Sequence, residues 1–477
     1  MLRFAADRDP PMPAPKRFSV LRDPVHGDVY LTHEEMRVLD TPEMQRLRGV
    51  KQLGTAYLAY PGALHTRFDH SIGTLHMTAR MIEAIRMNAS LDARGCLGVG
   101  EEEERVIRLA ALLHDVTHIP FGHNVEDQTG LFHRHDSAYR YERMMAPSTA
   151  LGGVLDDLGA RRDVLAILTG HDAEPEAANG RGASPPFWAQ IVSDTICSDI
   201  LDYLQRDAYF TGLRLQIDQR LASYFKVDRA TGNLFIDLTK RDLLREDILS
   251  EVVRMLEARY YFSERVYYHH AKVSAGALVA RAVELAVQAD LVAEDDFYTQ
   301  TDAGVLDMLA RRAAERADVD LSGRITNLVE RFRERRLLKR ACVFPRYANA
   351  DAQADLVERF FSPGRRDERL AVEDKIADVV RFATGKSIEI IVYCPAARMQ
   401  LKEAQTHVRW PGESGVQPLS RFAERVPRLA DLERSYRDLW KFYVLADAHD
   451  PKLLRKVQEI ACDEFRGATN VYRIEGA

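Results

Sequence analysis

The sequence predicts a mainly α protein, a large helical core followed by a small α/β lobe. Apolar residues recur at helical spacing through most of the first 290 positions, whereas runs with strand character, Ser387 to Tyr393 and Phe442 to Leu445, come only after Phe344. A chain of 477 residues is also long enough for two or three domains and a sizeable core.

Pro10, Pro11, Pro13 and Pro15 make residues 1–17 an N-terminal arm without regular structure. Val20 and Leu21, then Val29, Tyr30 and Leu31 around a His26-Gly27-Asp28 turn, predict a hairpin. From there to residue 290 nearly everything reads as helix. The segment Ser71 to Met87 puts Leu75, Ala79, Ile82 and Ile85 on one stripe, and Glu102 to Leu113 does so with Val106, Leu109 and Leu113. Residues 171–186 carry enough Gly and Pro to be a loop. A further helix is expected to begin near Ile191, with at least two more over 241–290 and charge-rich helix over 303–340. Asp450-Pro451 opens a last helix that runs to about Phe465. The expected domains are a catalytic core over 18–290, a helical extension over 291–345 that holds a basic run, and a small α/β lobe over 346–477.

Five dispersed cysteines, Cys96, Cys197, Cys342, Cys394 and Cys462, form no CxxC pair and indicate neither a zinc ribbon nor a disulfide framework. The cytoplasm is the expected compartment. No apolar run reaches the roughly 18 residues of a membrane span, and no signal pattern is expected at the N-terminus. The net charge of -6 gives no general field for polyanions, so nucleic acid is not an expected partner. The one dense basic run, Arg331 to Arg340, reads first as a solvated helix face.

The informative residues are polar and lie at the end of an apolar helix. His114-Asp115 closes the run Ala110-Ala111-Leu112-Leu113; Arg67-Phe68-Asp69-His70 precedes it and Asp199-Ile200-Leu201-Asp202-Tyr203 follows. Imidazole and carboxylate together suit a divalent cation, and ligands scattered along the chain suit a site inside a helix bundle. His70, His114, Asp115 and Asp199 are the candidate ligands, of Mg, Mn or Fe. Asp199, Tyr203, Arg206 and Asp207 stand at i, i+4, i+7 and i+8, which puts them on one helix face, opposite the apolar stripe of Ile196, Ile200 and Leu204. His118, His123, His133 and His135 crowd the stretch after the dyad and offer proton donors and acceptors near neutral pH. Arg67 and Arg259 are candidate phosphate clamps.

The stretches Asp23-Pro24-Val25-His26-Gly27, Asp40-Thr41-Pro42-Glu43-Met44-Gln45-Arg46-Leu47-Arg48, Lys51-Gln52-Leu53-Gly54, Tyr60-Pro61-Gly62-Ala63 and Arg67 to Gly73 resemble HD-domain phosphohydrolases, most closely the deoxynucleoside triphosphate triphosphohydrolases. The similarity runs over about residues 18–290 and more weakly to 345. It implies an HD-domain helical core and a metal held by His70, His114, Asp115 and Asp199. Gln52 and Asp207 match residues that hydrogen-bond the sugar 3′-hydroxyl, Leu53 belongs to the same substrate-binding stretch, and Tyr203 matches the ring that leaves no room for a 2′-hydroxyl. Arg67 and Arg259 match phosphate-binding arginines. Among the matched active-site histidines His118, His123 and His135, His118 is the expected catalytic one. Asp40, Gln45 and Arg48, with Arg335 and Lys339, match an effector site for a nucleotide, and a homo-oligomer, dimer or tetramer, is implied.

Ile200 departs from the pattern, since the vertebrate members have a phosphate-binding lysine there; the triphosphate grip is then weaker or supplied elsewhere. The implied reaction is hydrolysis of a dNTP at its α-phosphate to deoxynucleoside and tripolyphosphate, with a cation polarising the phosphate and His118 as general acid or water-orienting base. Emptying the DNA precursor pool would serve housekeeping or defence against phage. Two other readings remain open. A two-metal phosphodiesterase or nucleotidase would draw its second set of ligands from the extra histidines, and a nucleotide-sensing protein would switch its oligomeric state without turnover.

Overall fold

The computed structural model describes residues 18–170, 184–215, 217–362, 364–394 and 405–474. The arm over 1–17 and most of the loop over 171–186 lie outside them. The fold is mainly α, with a small sheet-containing C-terminal region.

The longest helix, Arg67–Leu91, begins where Thr66 and Asp69 close a capping box: the Thr66 Oγ1 accepts from the Asp69 amide and the Asp69 carboxylate from the Thr66 amide. That start sets Arg67 and His70 in the first turn. The helix Glu101–Leu113 opens on four glutamates that complement its N-terminal dipole and buries every residue from Val106 to Leu113. Its C-cap is His114, so the His-Asp pair sits just past the end of a buried helix, as its sequence suggests. The helix Ser198–Thr211 carries Asp199 in its first turn and stops at Gly212, whose φ of 74° is left-handed. It does not start near Ile191. A short helix, Pro186–Val192, ends at Ser193, and the chain bends through 193–197 before the next helix begins.

Strands interrupt the region expected to be helical. Cys96–Leu97, Phe225–Asp228 and Leu234–Asp237 form one edge of a five-stranded sheet, completed by His407–Arg409 and Gln417–Pro418 from far along the chain. The hairpin Ser19–Asp23 with Gly27–Leu31 forms as expected. The helices Glu246–Phe262, His270–Gln288, Asp302–Arg316 and Val319–Arg333 also form. The basic run is not one helix, because Lys339–Pro345 is a strand that pairs with Lys441–Ala446.

Residues 346–477 divide between two cores. Strands Lys339–Pro345, Lys441–Ala446 and Ile390–Tyr393 pack with the helices Arg366–Thr384 and Pro451–Glu464 around Phe344, Ile376, Trp440, Phe442 and Val457. In contrast, Val408, Trp410, Leu419, Phe422, Leu429 and Tyr436 belong to the main core. A buried ion-pair network, Arg281 with Glu373 and Arg369 with Glu284, ties the helix His270–Gln288 to the helix Arg366–Thr384. Among the described residues no helix is long and apolar enough to cross a membrane.

The helices Arg67–Leu91 and Ser198–Thr211 meet closely at Gly73, where an added Cβ would lie 1.9 Å from Asp202 Oδ1 and 2.2 Å from Arg206 Nη2. Gly73→Ala is therefore expected to cost about 1–3 kcal/mol through forced displacement of that buried pair. In urea unfolding followed by circular dichroism the midpoint should fall with the slope unchanged; an unchanged midpoint would mean that the helices separate freely.

Candidate metal centre

Three segments bring the four candidate ligands together. His70 Nε2 lies 2.9 Å from Asp199 Oδ1, 3.1 Å from His114 Nε2 and 3.8 Å from Asp115 Oδ2. His114 Nε2 lies 3.6 Å from Asp115 Oδ1 and 3.7 Å from Asp199 Oδ1. Each imidazole is oriented by its other nitrogen. His70 Nδ1 donates to Asp202 Oδ2 at 2.7 Å and His114 Nδ1 to the Ala111 carbonyl at 2.8 Å. Both Nδ1 atoms must carry hydrogen, because their partners only accept, so both Nε2 lone pairs converge with the Asp199 carboxylate, ligand atoms within 4.8 Å of one another, while Asp115 stands at the edge of this group. Such a cluster seeks positive charge. Burial opposes protonation of His70, yet the hydrogen bonds to Asp199 and Asp202 push it up to about 10. Burial likewise favours a neutral Asp199, but His114 and His70 hold it well below the ordinary carboxylate range. A donor set that binds a proton this firmly fits a divalent cation, which would supply positive charge to His70, His114 and Asp199 at once.

Beside this centre Arg67 Nη1 donates to Asp115 Oδ2 at 2.7 Å, and His118 Nε2 lies 3.2 Å from Asp115 Oδ1. His118 stacks on His135 with ring centroids 3.8 Å apart and meets His123 edge-on at 5.3 Å. Burial, then Arg67 and His135, outweigh Asp115 and keep the His118 imidazole neutral. His135 is fixed from behind by Glu126, 2.9 Å from its Nδ1, and Arg140 in turn grips Glu126. His133 lies apart from this group, on Glu294 and Tyr139.

The turn after the dyad is held by residues that sequence reasoning did not single out. Arg46 Nη2 donates to the carbonyls of Val116 and His118, 2.9 Å each, while Tyr141 donates to the His114 carbonyl and Thr117 to that of His135. Behind His70, Asp202 also accepts from His26 at 2.6 Å and from Arg206, which continues to Asp23 at 2.8 Å. Arg206 thus does not share the ligand face expected for it. The signal for this pairing was the i, i+4 spacing of Asp202 and Arg206.

One to two turns along the same helix, Tyr203 stands with its ring 6.4 Å from that of His70, and Asp207 accepts from His65 and Tyr267. Gln52 has a buried amide oxygen with no hydrogen-bond partner among the described residues, and so does one guanidinium nitrogen of Arg259, Nη1. Leu53 is buried beside Gln52. Tyr436, from the helix Pro427–Asp438, binds Ser263 Oγ at 2.7 Å and approaches Arg259, a contact for which the sequence held no signal.

The candidate effector residues fall into two groups. Gln45 accepts from Arg48 at 2.9 Å and donates to the Leu39 carbonyl, Asp40 caps the helix His33–Leu39, and Arg48 covers the Phe68 ring. Arg335 and Lys339 instead line a cavity of about 340 Å³ with His270, Ser274, Arg340 and Tyr472. Much of the basic run is internally neutralised: Arg331 pairs with Asp447, Arg333 with Asp307 and Arg336 with Glu334.

Residues 67–207 match the HD domain and residues 236–466 the HD associated region. An uncharacterized protein of Methanocaldococcus jannaschii is 28% identical over 292 residues, 61% of this chain and 54% of its own length. The deoxynucleoside triphosphate triphosphohydrolase SAMHD1 homolog of Dictyostelium discoideum is 27% identical over 350 residues, 70% of this chain and 62% of its own. The chain spans 54% of the Methanocaldococcus protein and 44–62% of the triphosphohydrolases of Bos taurus and Dictyostelium discoideum, but 84% of the uncharacterized protein YwfO of Bacillus subtilis, which is 26% identical over 395 residues. A crystal structure of a hypothetical protein from Aquifex aeolicus shares the fold, with a TM-score of 0.63 at 23% identity, covering 93% of this chain and all of that one.

Two outcomes are expected. Asp202→Asn should weaken binding of Mn²⁺ roughly 10–100-fold in calorimetric titration, because it loosens the His70 ring without removing a ligand; unaltered affinity would mean that Asp202 serves packing alone. Glu126 makes stability depend on acid. Burial works against its ionisation, but the hydrogen bond from His135 and the charge of Arg140 hold it well below the ordinary 4.5. Its contribution is present above that pH and is lost as pH falls below it. The stability gap between wild type and Glu126→Gln, read by urea unfolding, should therefore narrow as pH drops from about 6 to about 3.

Proposed function

Because the chain belongs to the HD-domain phosphohydrolase family, we propose that His70, His114, Asp115 and Asp199 hold one divalent cation and that the enzyme hydrolyses dNTPs to deoxynucleoside and tripolyphosphate. The observation that carries this reading is the convergence of two imidazole lone pairs and the Asp199 carboxylate beside Asp115, Arg67 and His118. HD domains are metal-dependent, and the cation supplies Lewis-acid polarisation of a phosphate oxygen. The chain's own residues do the rest. Arg67 and Arg259 bind phosphate oxygens, and the unpaired Nη1 of Arg259 is a donor kept for that use. His118, kept neutral and backed by His135, Glu126 and Arg140, orients the attacking water through a ring nitrogen lone pair. Gln52 and Asp207 bind the sugar 3′-hydroxyl, Leu53 lies alongside, and Tyr203 packs against the sugar. His123 borders the phosphate side. Relatives with the triphosphohydrolase name support this substrate class. Ile200 is buried and offers no charge, which leaves the arginines as the grip on the triphosphate.

A second polyanion site is part of the reading. Asp40, Gln45 and Arg48 would recognise a nucleotide effector, and Arg335 and Lys339, in their basic cavity, would complete the site from a neighbouring subunit of a homo-oligomer.

The closeness of His118, His123 and His135, with ligand atoms within 4.8 Å of one another, favours a second reading in which a two-metal phosphodiesterase uses them for another cation. One assay separates the readings. Purified protein with Mn²⁺ is given each dNTP alone, then all four with GTP, beside Asp115→Ala, with products resolved by ion exchange. Tripolyphosphate from wild type alone is expected, and activity confined to mixtures would mark the effector site. Two bound metals per chain together with cleavage of phosphodiesters but not of dNTPs would overturn the proposal.

A further inference from the structure

We propose that His65 is a positioning residue that sets both arms of a clamp for the sugar 3′-hydroxyl, the Asp207 carboxylate through its side chain and the Gln52 amide through its backbone. The inference rests on the nucleotide reading above. His65 Nε2 lies 2.9 Å from Asp207 Oδ1, and the His65 carbonyl accepts from the Gln52 amide nitrogen at 3.1 Å. One residue therefore joins two groups that are 155 positions apart in the sequence (207 − 52).

The surroundings leave His65 little freedom. Its side chain is fully buried and its ring stacks on Phe210 at 4.7 Å and 24°. The loop that carries it presses on the end of the helix Ser198–Thr211, since a Cβ at Gly62 would lie 2.6 Å from the Phe210 carbonyl oxygen. An ionised carboxylate only accepts, so Nε2 carries the hydrogen. Nδ1 is then a buried lone pair with no partner among the described residues. A histidine that leaves one nitrogen unpaired in the core is retained for what the other nitrogen does.

The geometry at Asp207 leaves room for a ligand. Oδ1 accepts from His65 and Oδ2 from Tyr267 at 2.7 Å, which fixes the plane of the group and leaves two of about four acceptor positions. The Gln52 side-chain amide has a buried oxygen with no partner among the described residues. A hydroxyl satisfies both, because it donates to the carboxylate and accepts from the amide, whose oxygen and nitrogen exchange places by a flip. A ligand lacking that hydroxyl would leave the clamp unpaired, which is how a polar site rejects an analogue.

The test compares dATP with 2′,3′-dideoxyATP in kcat/KM and in the melting temperature shift each induces. Wild type should favour dATP. His65→Leu should reduce that preference about tenfold, the scale of one hydrogen bond to a charged group. His65→Gln, whose N–H reaches about as far as Nε2, should restore it. A purely structural role would lower turnover of both nucleotides alike, and an unchanged preference in His65→Leu would overturn the proposal. If His65→Leu does not fold, His65→Asn makes the same comparison, since its amide stops short of Asp207. A wild type that cleaves neither nucleotide but binds them unequally overturns the hydrolase reading and leaves the His65 comparison to the melting shifts. A wild type that binds both alike overturns the clamp.

Discussion

Two imidazole nitrogens that face one another at 3.1 Å, each with its lone pair turned inward, are the constraint on which the rest of this molecule depends. Left uncompensated, the arrangement repels, and two carboxylates in the same few ångströms add to the repulsion. Positive charge between them reverses every sign. The surrounding structure keeps the rings from turning away: Asp202 holds His70, and the last turn of the helix Glu101–Leu113 holds His114 through Ala111. Buried groups of this kind are retained where function outweighs the cost of burial.

The N-terminal hairpin finds its purpose in the same chain of bonds. Asp202 accepts from His70, His26 and Arg206, and Arg206 reaches back to Asp23, so both ends of the turn between the hairpin strands brace the back of the centre. On the other side Arg46 gathers the carbonyls of Val116 and His118. Burial, with the charges of Arg67 and Arg140 nearby, brings its guanidinium down to about 10, still charged at any physiological pH. A turn with few regular hydrogen bonds of its own is thus fixed by side chains, which lets His114 and His118 both turn toward Asp115 within five residues.

The candidate centre was legible in the sequence because its candidate ligands lie at helix starts and ends, where patterning is clear. His70 follows a capping box, His114 ends an apolar run, and Asp199 opens an amphipathic segment. The mainly α fold was legible for the same reason. The five-stranded sheet was not, since its strands are two to four residues long and too short to develop alternation. The break at 193–197 has no clear signal, because Ser193-Asp194-Thr195 is only three residues wide, carries neither Gly nor Pro, and has apolar residues on both sides. Arg206 was misread because helix spacing shows which residues share a face but not what that face meets; a fully buried arginine needs Asp23, and no local pattern announces a partner so distant. The same limit hid Tyr436. In the basic run, the partners Asp307 and Asp447 likewise come from elsewhere in the chain.

The stretch that doubles back from the C-terminal side has a consequence for synthesis of the protein. Thr406 Oγ1 accepts from the Ile196 amide and Thr195 Oγ1 from that of Gln405, so residues 405–406 fasten the bend that aims the helix of Asp199. Strand His407–Arg409 then pairs with Leu234–Asp237, and Tyr436 closes the wall beside Arg259. Chains emerge from the ribosome N-terminus first, and units fold as they appear. Here the ligand-bearing helices leave the ribosome hundreds of residues before the segment that pins them, so a half-made chain already carries every candidate metal-binding side chain but not the walls around them. The walls around those side chains are completed only after the helix that carries Tyr436 has been made.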